Sequence, residues 1–113
     1  MPPRVAHVTL DCTNVDAVAR FWSAALGRPI EPGDGAAYSY VGAEGDPYRL
    51  CVTQTPDTKI VKNRLHLDIQ AADRQAEVKR LLALGAGIVA ECDEGGSQWT
   101  TLHDVEGNEF RVF

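Results

Sequence analysis

The chain has 113 residues, room for one domain with a modest core, and its 44% hydrophobic and 24% charged residues are ordinary for a globular protein. Its formal charge of −5 argues against nucleic acid and anionic membrane surfaces as main partners. No apolar run approaches the roughly 18 residues of a membrane span. Met1-Pro2-Pro3-Arg4 lacks a signal-peptide apolar core, and three cysteines without CxxC spacing fit reduced thiols in the cytoplasm.

In chain order, residues 4–12 alternate and read as a half-buried strand: Ala6, Val8, Leu10 and Cys12 face one way, His7, Thr9 and Asp11 the other. Thr13 or Asn14 can cap the helix that follows, whose stripe is Val15, Val18, Ala19, Trp22, Ala25 and Leu26. Gly27 stops it and Pro29 prevents its return. Pro32-Gly33-Asp34-Gly35 is a turn, 36–41 a strand, 42–47 a turn and 49–53 a strand. The polar segment 56–63 links to a second strand–helix unit. Leu65, Leu67 and Ile69 face its core, with His66, Asp68 and Gln70 opposite, and Asp73 is an N-cap. Val78, Leu81 and Leu82 lie along one side of the second helix, which ends at Gly85. Residues 88–91 form a strand, and 99–103 and 109–113 a closing hairpin whose Gly107 and Asn108 accept positive φ.

The second half repeats the first. His7-Val8-Thr9-Leu10-Asp11 corresponds to His66-Leu67-Asp68-Ile69-Gln70, Ala25-Leu26-Gly27 to Ala83-Leu84-Gly85, and Leu50-Cys51-Val52 to Phe110-Arg111-Val112, at an offset of about 58 to 60 residues. Each repeat is β-α-β-β-β. The expected fold is α+β: two tandem βαβββ repeats, 4–57 and 63–113, in a single domain 1–113. They form a curved mixed sheet with the helices on its convex face. The opposite face then carries His7, Thr9, Asp11, Cys51, Thr53, His66, Asp68, Glu109 and Arg111, with Tyr38, Tyr40 and Trp99 nearby. That composition reads as a lined cleft rather than a wet surface.

These motifs resemble the vicinal oxygen chelate superfamily, the glyoxalase/bleomycin-resistance group. Phe21-Trp22-Ser23-Ala24-Ala25-Leu26-Gly27 resembles its first helix. Lys62-Asn63-Arg64-Leu65-His66-Leu67-Asp68 and Asp104-Val105-Glu106-Gly107-Asn108-Glu109-Phe110 resemble motifs of its glyoxalase-like subfamily. The resemblance implies one metal ligand from the first and last strand of each repeat, here His7, Cys51, His66 and Arg111. His7 and His66 suit a divalent ion, and Cys51 a soft one as thiolate. Arg111 cannot ligate, being a permanent cation with donors only. The family has a carboxylate there, and Glu109 lies two residues upstream, about 6–7 Å along the strand. No cofactor is therefore expected. If a metal is present, His7 and His66 hold it.

Two function classes follow. One is a non-catalytic protein binding a small organic ligand, anionic or polar aromatic, through Thr9, Asp11, Tyr38, Tyr40, Cys51, Asp68, Trp99 and Arg111. The other is an enzyme: a metal-dependent lyase or dioxygenase type, or a metal-free isomerase using His7 or His66 as acid and base. For Arg111 the alternatives are a ligand-facing cation and a salt bridge to Asp11 or Asp68. Exposed sheet edges in so short a chain, with the dimers common among short members of the superfamily, point to a C2 homodimer.

Overall fold

The computed structural model describes residues 2–34 and 36–113. Ten elements follow in chain order: β1 Val8–Cys12, α1 Val15–Leu26, β2 Ile30–Pro32, β3 Tyr38–Val41, β4 Leu50–Gln54, β5 Asp68–Ile69, α2 Arg74–Ala83, β6 Gly87–Glu94, β7 Ser97–His103 and β8 Glu109–Val112. The chain divides into two compact units, Met1–Thr58 and Lys59–Phe113. Each holds one helix and one four-stranded sheet, ordered β1-β4-β3-β2 in the first and β5-β8-β7-β6 in the second. The expected α+β class and βαβββ order are present in both. In each, the first strand lies parallel to the last, and the other pairings are antiparallel.

Local chemistry sets the helices. Asn14 caps α1 by accepting from Ala17 N–H at 3.1 Å, and Asp73 caps α2 by accepting from Ala76 N–H at the same distance. Gly27 is left-handed (φ 64°), and its N–H returns to Ser23 C=O. In the first unit Val15, Val18, Ala19 and Trp22 of α1 bury with Val41, Leu50 and Val52 of the sheet, and Phe21 meets Trp22 edge-on at 5.2 Å. In the second, Val78 and Leu81 bury with Leu102, Phe110 and Val112. Each such side chain contributes about 1.5–3 kcal/mol. Thr100 is also fully buried, and its hydroxyl is satisfied twice, taking a 2.8 Å bond from Arg74 and donating to Glu91 at 2.9 Å.

Several boundaries and contacts differ from expectation. The first strand begins at Val8, because its partner β4 begins at Leu50, and Val5 is 70% exposed. β2 fills the strand position after the helix that the βαβββ order implies, at residues to which no strand range was assigned. It has three residues and places Pro32 on an edge strand, where no ladder donor is needed. β3 is shorter than 36–41, and β6 is longer than 88–91. Leu65 was assigned to the core yet is 69% exposed. Pairing of this segment with β8 starts only where Leu67 C=O accepts from Arg111 N–H, two residues beyond Leu65. Leu82 is also largely exposed, at the rim of the α2 stripe. Gly107 has positive φ (89°), but no described non-glycine residue does, so Asn108 does not. Its role is instead to bond Asp104, described below. The expected turn through Gly35 lies partly outside the described residues, although Ala37 N–H closes onto Asp34 C=O at 3.0 Å.

Candidate functional site

Strand alternation puts the sequence-predicted site residues on the helix-free face of each sheet. In the first unit the register aligns Thr9, Cys51, Tyr40 and Glu31 in one row and Asp11, Thr53 and Tyr38 in the next. His7 meets the Tyr40 ring edge-on (5.6 Å, 73°), and Tyr40 meets Tyr38 the same way (5.7 Å, 79°). Gly33 makes room for this cluster, since a Cβ there would stand 2.2 Å from the Tyr38 ring. Cys51 is 6% exposed, and its sulfur lies 3.5 Å from the Thr53 hydroxyl. A thiol so enclosed is packing rather than a nucleophile. Thr9 and Asp11 are exposed.

Arg49 was not singled out by sequence, yet it organises this face. Its guanidinium lies 3.7 Å over the Tyr40 ring, pairs with Glu31 at 2.9 Å and donates to Gly42 C=O at 3.1 Å. The available signal was its parity with Cys51, which sends its side chain to the same face.

In the second unit Asp68, Arg111 and Thr101 share a row across β5, β8 and β7. His66 Nδ1 lies 2.9 Å from Asp68 Oδ1. A carboxylate only accepts, so Nδ1 carries the proton and Nε2 is left to the surroundings. Arg111 lies over Trp99, 5.0 Å from the ring centroid. Trp99 also meets Phe113 at 5.6 Å with a 34° tilt. Its indole Nε1–H is buried without a hydrogen-bond acceptor among the described residues. Within its own unit Arg111 makes no ion pair among the described residues, so the salt bridge to Asp68 is not formed.

Glu109, beside Arg111 on β8, is fully engaged. Lys59 forms an ion pair with it, and Asn63 N–H donates to it at 2.9 Å. Burial alone raises its pKa. The Lys59 hydrogen bond, the Asn63 N–H and the charges of Lys59 and Lys62 outweigh burial and hold the carboxyl below its ordinary value. Asp104, fully buried at the β7–β8 turn, accepts from Glu106 N–H, Asn108 N–H and Asn108 Nδ2 at 2.9 to 3.1 Å. His103 donates from Nδ1 to Asp104 C=O at 2.8 Å, and its ring covers Gly87 across the strands.

The description of a glyoxalase-like domain matches residues 7–113. The chain belongs to the glyoxalase-like domain family. No curated protein matches it. Among solved structures, its fold is similar to that of a variant of the fosfomycin resistance protein FosX from Listeria monocytogenes, complexed with Mn(II) and 1S,2S-dihydroxypropylphosphonic acid (TM-score 0.80, 15% identity, 99% of this chain and 90% of that one). A glyoxalase/bleomycin resistance protein/dioxygenase family enzyme from Burkholderia phytofirmans PsJN is similar over 97% of each chain (TM-score 0.76, 15% identity). So is the bleomycin-binding protein of Streptomyces verticillus, complexed with copper(II)-bleomycin (TM-score 0.67, 21% identity, 99% of this chain and 97% of that one). At these identities the likeness is one of fold.

The residues of this glyoxalase-like chain do not fit the metal set that the family resemblance implies. Thr9 pairs with Cys51 in the first unit just as Asp68 pairs with Arg111 in the second, so Arg111 occupies the last-strand ligand position. It brings a cation where a dication needs a donor. Glu109, the nearest carboxylate on that strand, is held by Lys59 and Asn63. Among the described residues no group of three or more His, Cys, Asp or Glu is placed to hold a metal ion.

Proposed function

We propose that this glyoxalase-like protein binds a small organic anion on the helix-free face of its second sheet, with Arg111 in place of a metal ion. One observation carries the reading: a guanidinium lying over an indole and without a counter-charge among the described residues of its own unit. The indole offers the guanidinium an apolar, cation-attracting neighbour, and the N–H groups of Arg111 can give a carboxylate two parallel hydrogen bonds. The first sheet has the same kind of stack, Arg49 on Tyr40, but there Glu31 already supplies the charge. Calorimetric titration with benzoate tests the reading. Arg111→Gln is expected to weaken binding about 10- to 100-fold, the range of a charge-assisted bond, and Arg111→Lys to recover part of it. Tight binding of Zn²⁺ or Mn²⁺ to the unaltered protein, lost in His66→Ala, would replace this reading with a metalloenzyme.

A second reading rests on the His66–Asp68 hydrogen bond of 2.9 Å. A histidine oriented by a carboxylate is the arrangement of a general base, which suits a metal-free isomerase. It predicts catalysed deuterium exchange at C3 of added phenylpyruvate, abolished by His66→Gln. Failure of the unaltered protein to exchange that position removes it.

We further propose a C2 homodimer in a reducing, cytoplasmic setting. Support comes from Ile88 and Val89, 49% and 53% exposed on the edge strand β6, and from the absence of a disulfide among the described residues. Sedimentation at micromolar concentration giving only the 12.3 kDa chain speaks against the dimer.

A further inference from the structure

The buried indole N–H of Trp99 extends the anion-binding reading and rests on it. A buried donor with no acceptor is rare in folded proteins and is compensated when an acceptor arrives. Trp99 contacts both Arg111, which lies over its ring, and Phe113, which meets it at a 34° tilt rather than in a parallel stack. The same few side chains therefore combine one cation, one neutral donor and two apolar rings. Asp68 and Glu109, the carboxylates nearest in register and sequence, are bonded to His66 and to Lys59 and Asn63, and neither serves Arg111 or the indole.

We infer that Trp99 Nε1–H is a ligand-recognising donor, and that the ligand of this face is a flat aromatic carboxylate bearing a second, uncharged acceptor in its ring. The carboxylate takes the in-plane donors of Arg111. The flat body approaches the edge of the indole that carries the N–H, so that its ring acceptor lies near the indole plane and receives that bond. A simple aryl carboxylate satisfies only the first requirement. It leaves the N–H as bare as in the empty protein, so the acceptor sets specificity rather than bulk affinity.

The test compares benzoate with the three pyridine carboxylates, which differ from it only by a ring nitrogen in place of a C–H. At least one isomer is expected to bind about tenfold more tightly than benzoate, the value of one satisfied donor. In Trp99→Phe, which keeps a ring beside Arg111 and removes the N–H, the ratio of pyridine carboxylate to benzoate affinity should fall to about one, whatever the change in benzoate affinity itself. An amide ¹H–¹⁵N spectrum of the unaltered protein gives a readout independent of that variant's folding. The chain has two tryptophans, so two indole signals are expected, and the Trp99 signal should move downfield with the preferred pyridine carboxylate and not with benzoate. Equal affinities for all four acids, or an advantage that survives in Trp99→Phe, overturns the inference while leaving the Arg111 reading intact. Failure of benzoate and all three pyridine carboxylates to bind overturns both. So does binding of all four that is indifferent to Arg111→Gln.

Discussion

Asp68 and Arg111 face one another directly across β5 and β8, yet the Asp68 carboxylate bonds to His66, two residues earlier in the chain and just before β5. Opposite charges in register usually pair. Here the imidazole takes the carboxylate, and the guanidinium turns onto Trp99 instead.

That arrangement makes the charge at position 111 the control on metal affinity. Arg111→Glu removes the repelling cation and puts a carboxylate on the face that carries His66. It should raise affinity for Zn²⁺ or Ni²⁺ at least about tenfold over the unaltered protein, on the value of an added charged ligand. Calorimetry with each ion checks it, and unchanged affinity would show that position 111 is not where an ion is excluded.

Arg49 is the internal control for Arg111. Its guanidinium is committed to Glu31, Gly42 C=O and the Tyr40 ring. Arg49→Gln should cost about 1–3 kcal/mol of stability, through the lost pair and stack, and change benzoate affinity less than twofold. Urea unfolding and calorimetry on one preparation measure both. A loss as large as that of Arg111→Gln would place the anion on the other sheet.

Glu109 makes stability depend on pH in a defined direction. A carboxyl held below its ordinary pKa in the folded state adds stability at neutral pH, and that stability is lost as pH falls through the folded-state pKa. The loss therefore develops below roughly pH 4.3, the unperturbed glutamate value. Urea midpoints measured down that range should fall in the unaltered protein and fall less in Glu109→Gln. At neutral pH the same variant should lose hydrogen-exchange protection at Asn63 N–H, which Glu109 now holds.

Asp104 is expected to be the costliest acid to remove. Its truncation to Ala strands Glu106 N–H, Asn108 N–H and Asn108 Nδ2 in a turn where Asp104 is 0% exposed and Asn108 9%. A loss of about 3 kcal/mol or more follows from that many orphaned donors. Thermal unfolding checks it, and an unchanged Tm would mean that water substitutes freely in the turn.

Alternation and capping carried much of the architecture into the sequence. Asn14, Asp73 and Gly27 mark helix ends by local chemistry, and Val52 against Thr53 or Phe110 against Arg111 sorts each strand by face. What was not legible depends on choice among partners. Parity puts His66, Asp68 and Arg111 together, but does not say which of the two donors the aspartate takes. Leu65 reads as core by period two, but the ladder with β8 begins only at Leu67, and period two does not show where pairing starts. Arg49 looked like an ordinary strand residue because Glu31, its counter-charge, sits on a three-residue strand with no apolar period of its own.

The shared register of the two repeats has a consequence for how this chain can change. Because Thr9–Cys51 and Asp68–Arg111 are the same place in two copies of one module, the molecule carries a built-in spare. One copy has settled into an aromatic and ion-paired scaffold around Tyr40. The other keeps Arg111 at the equivalent place without an ion pair inside its unit, so a substitution there changes the chemistry of the face without breaking a salt bridge of that unit.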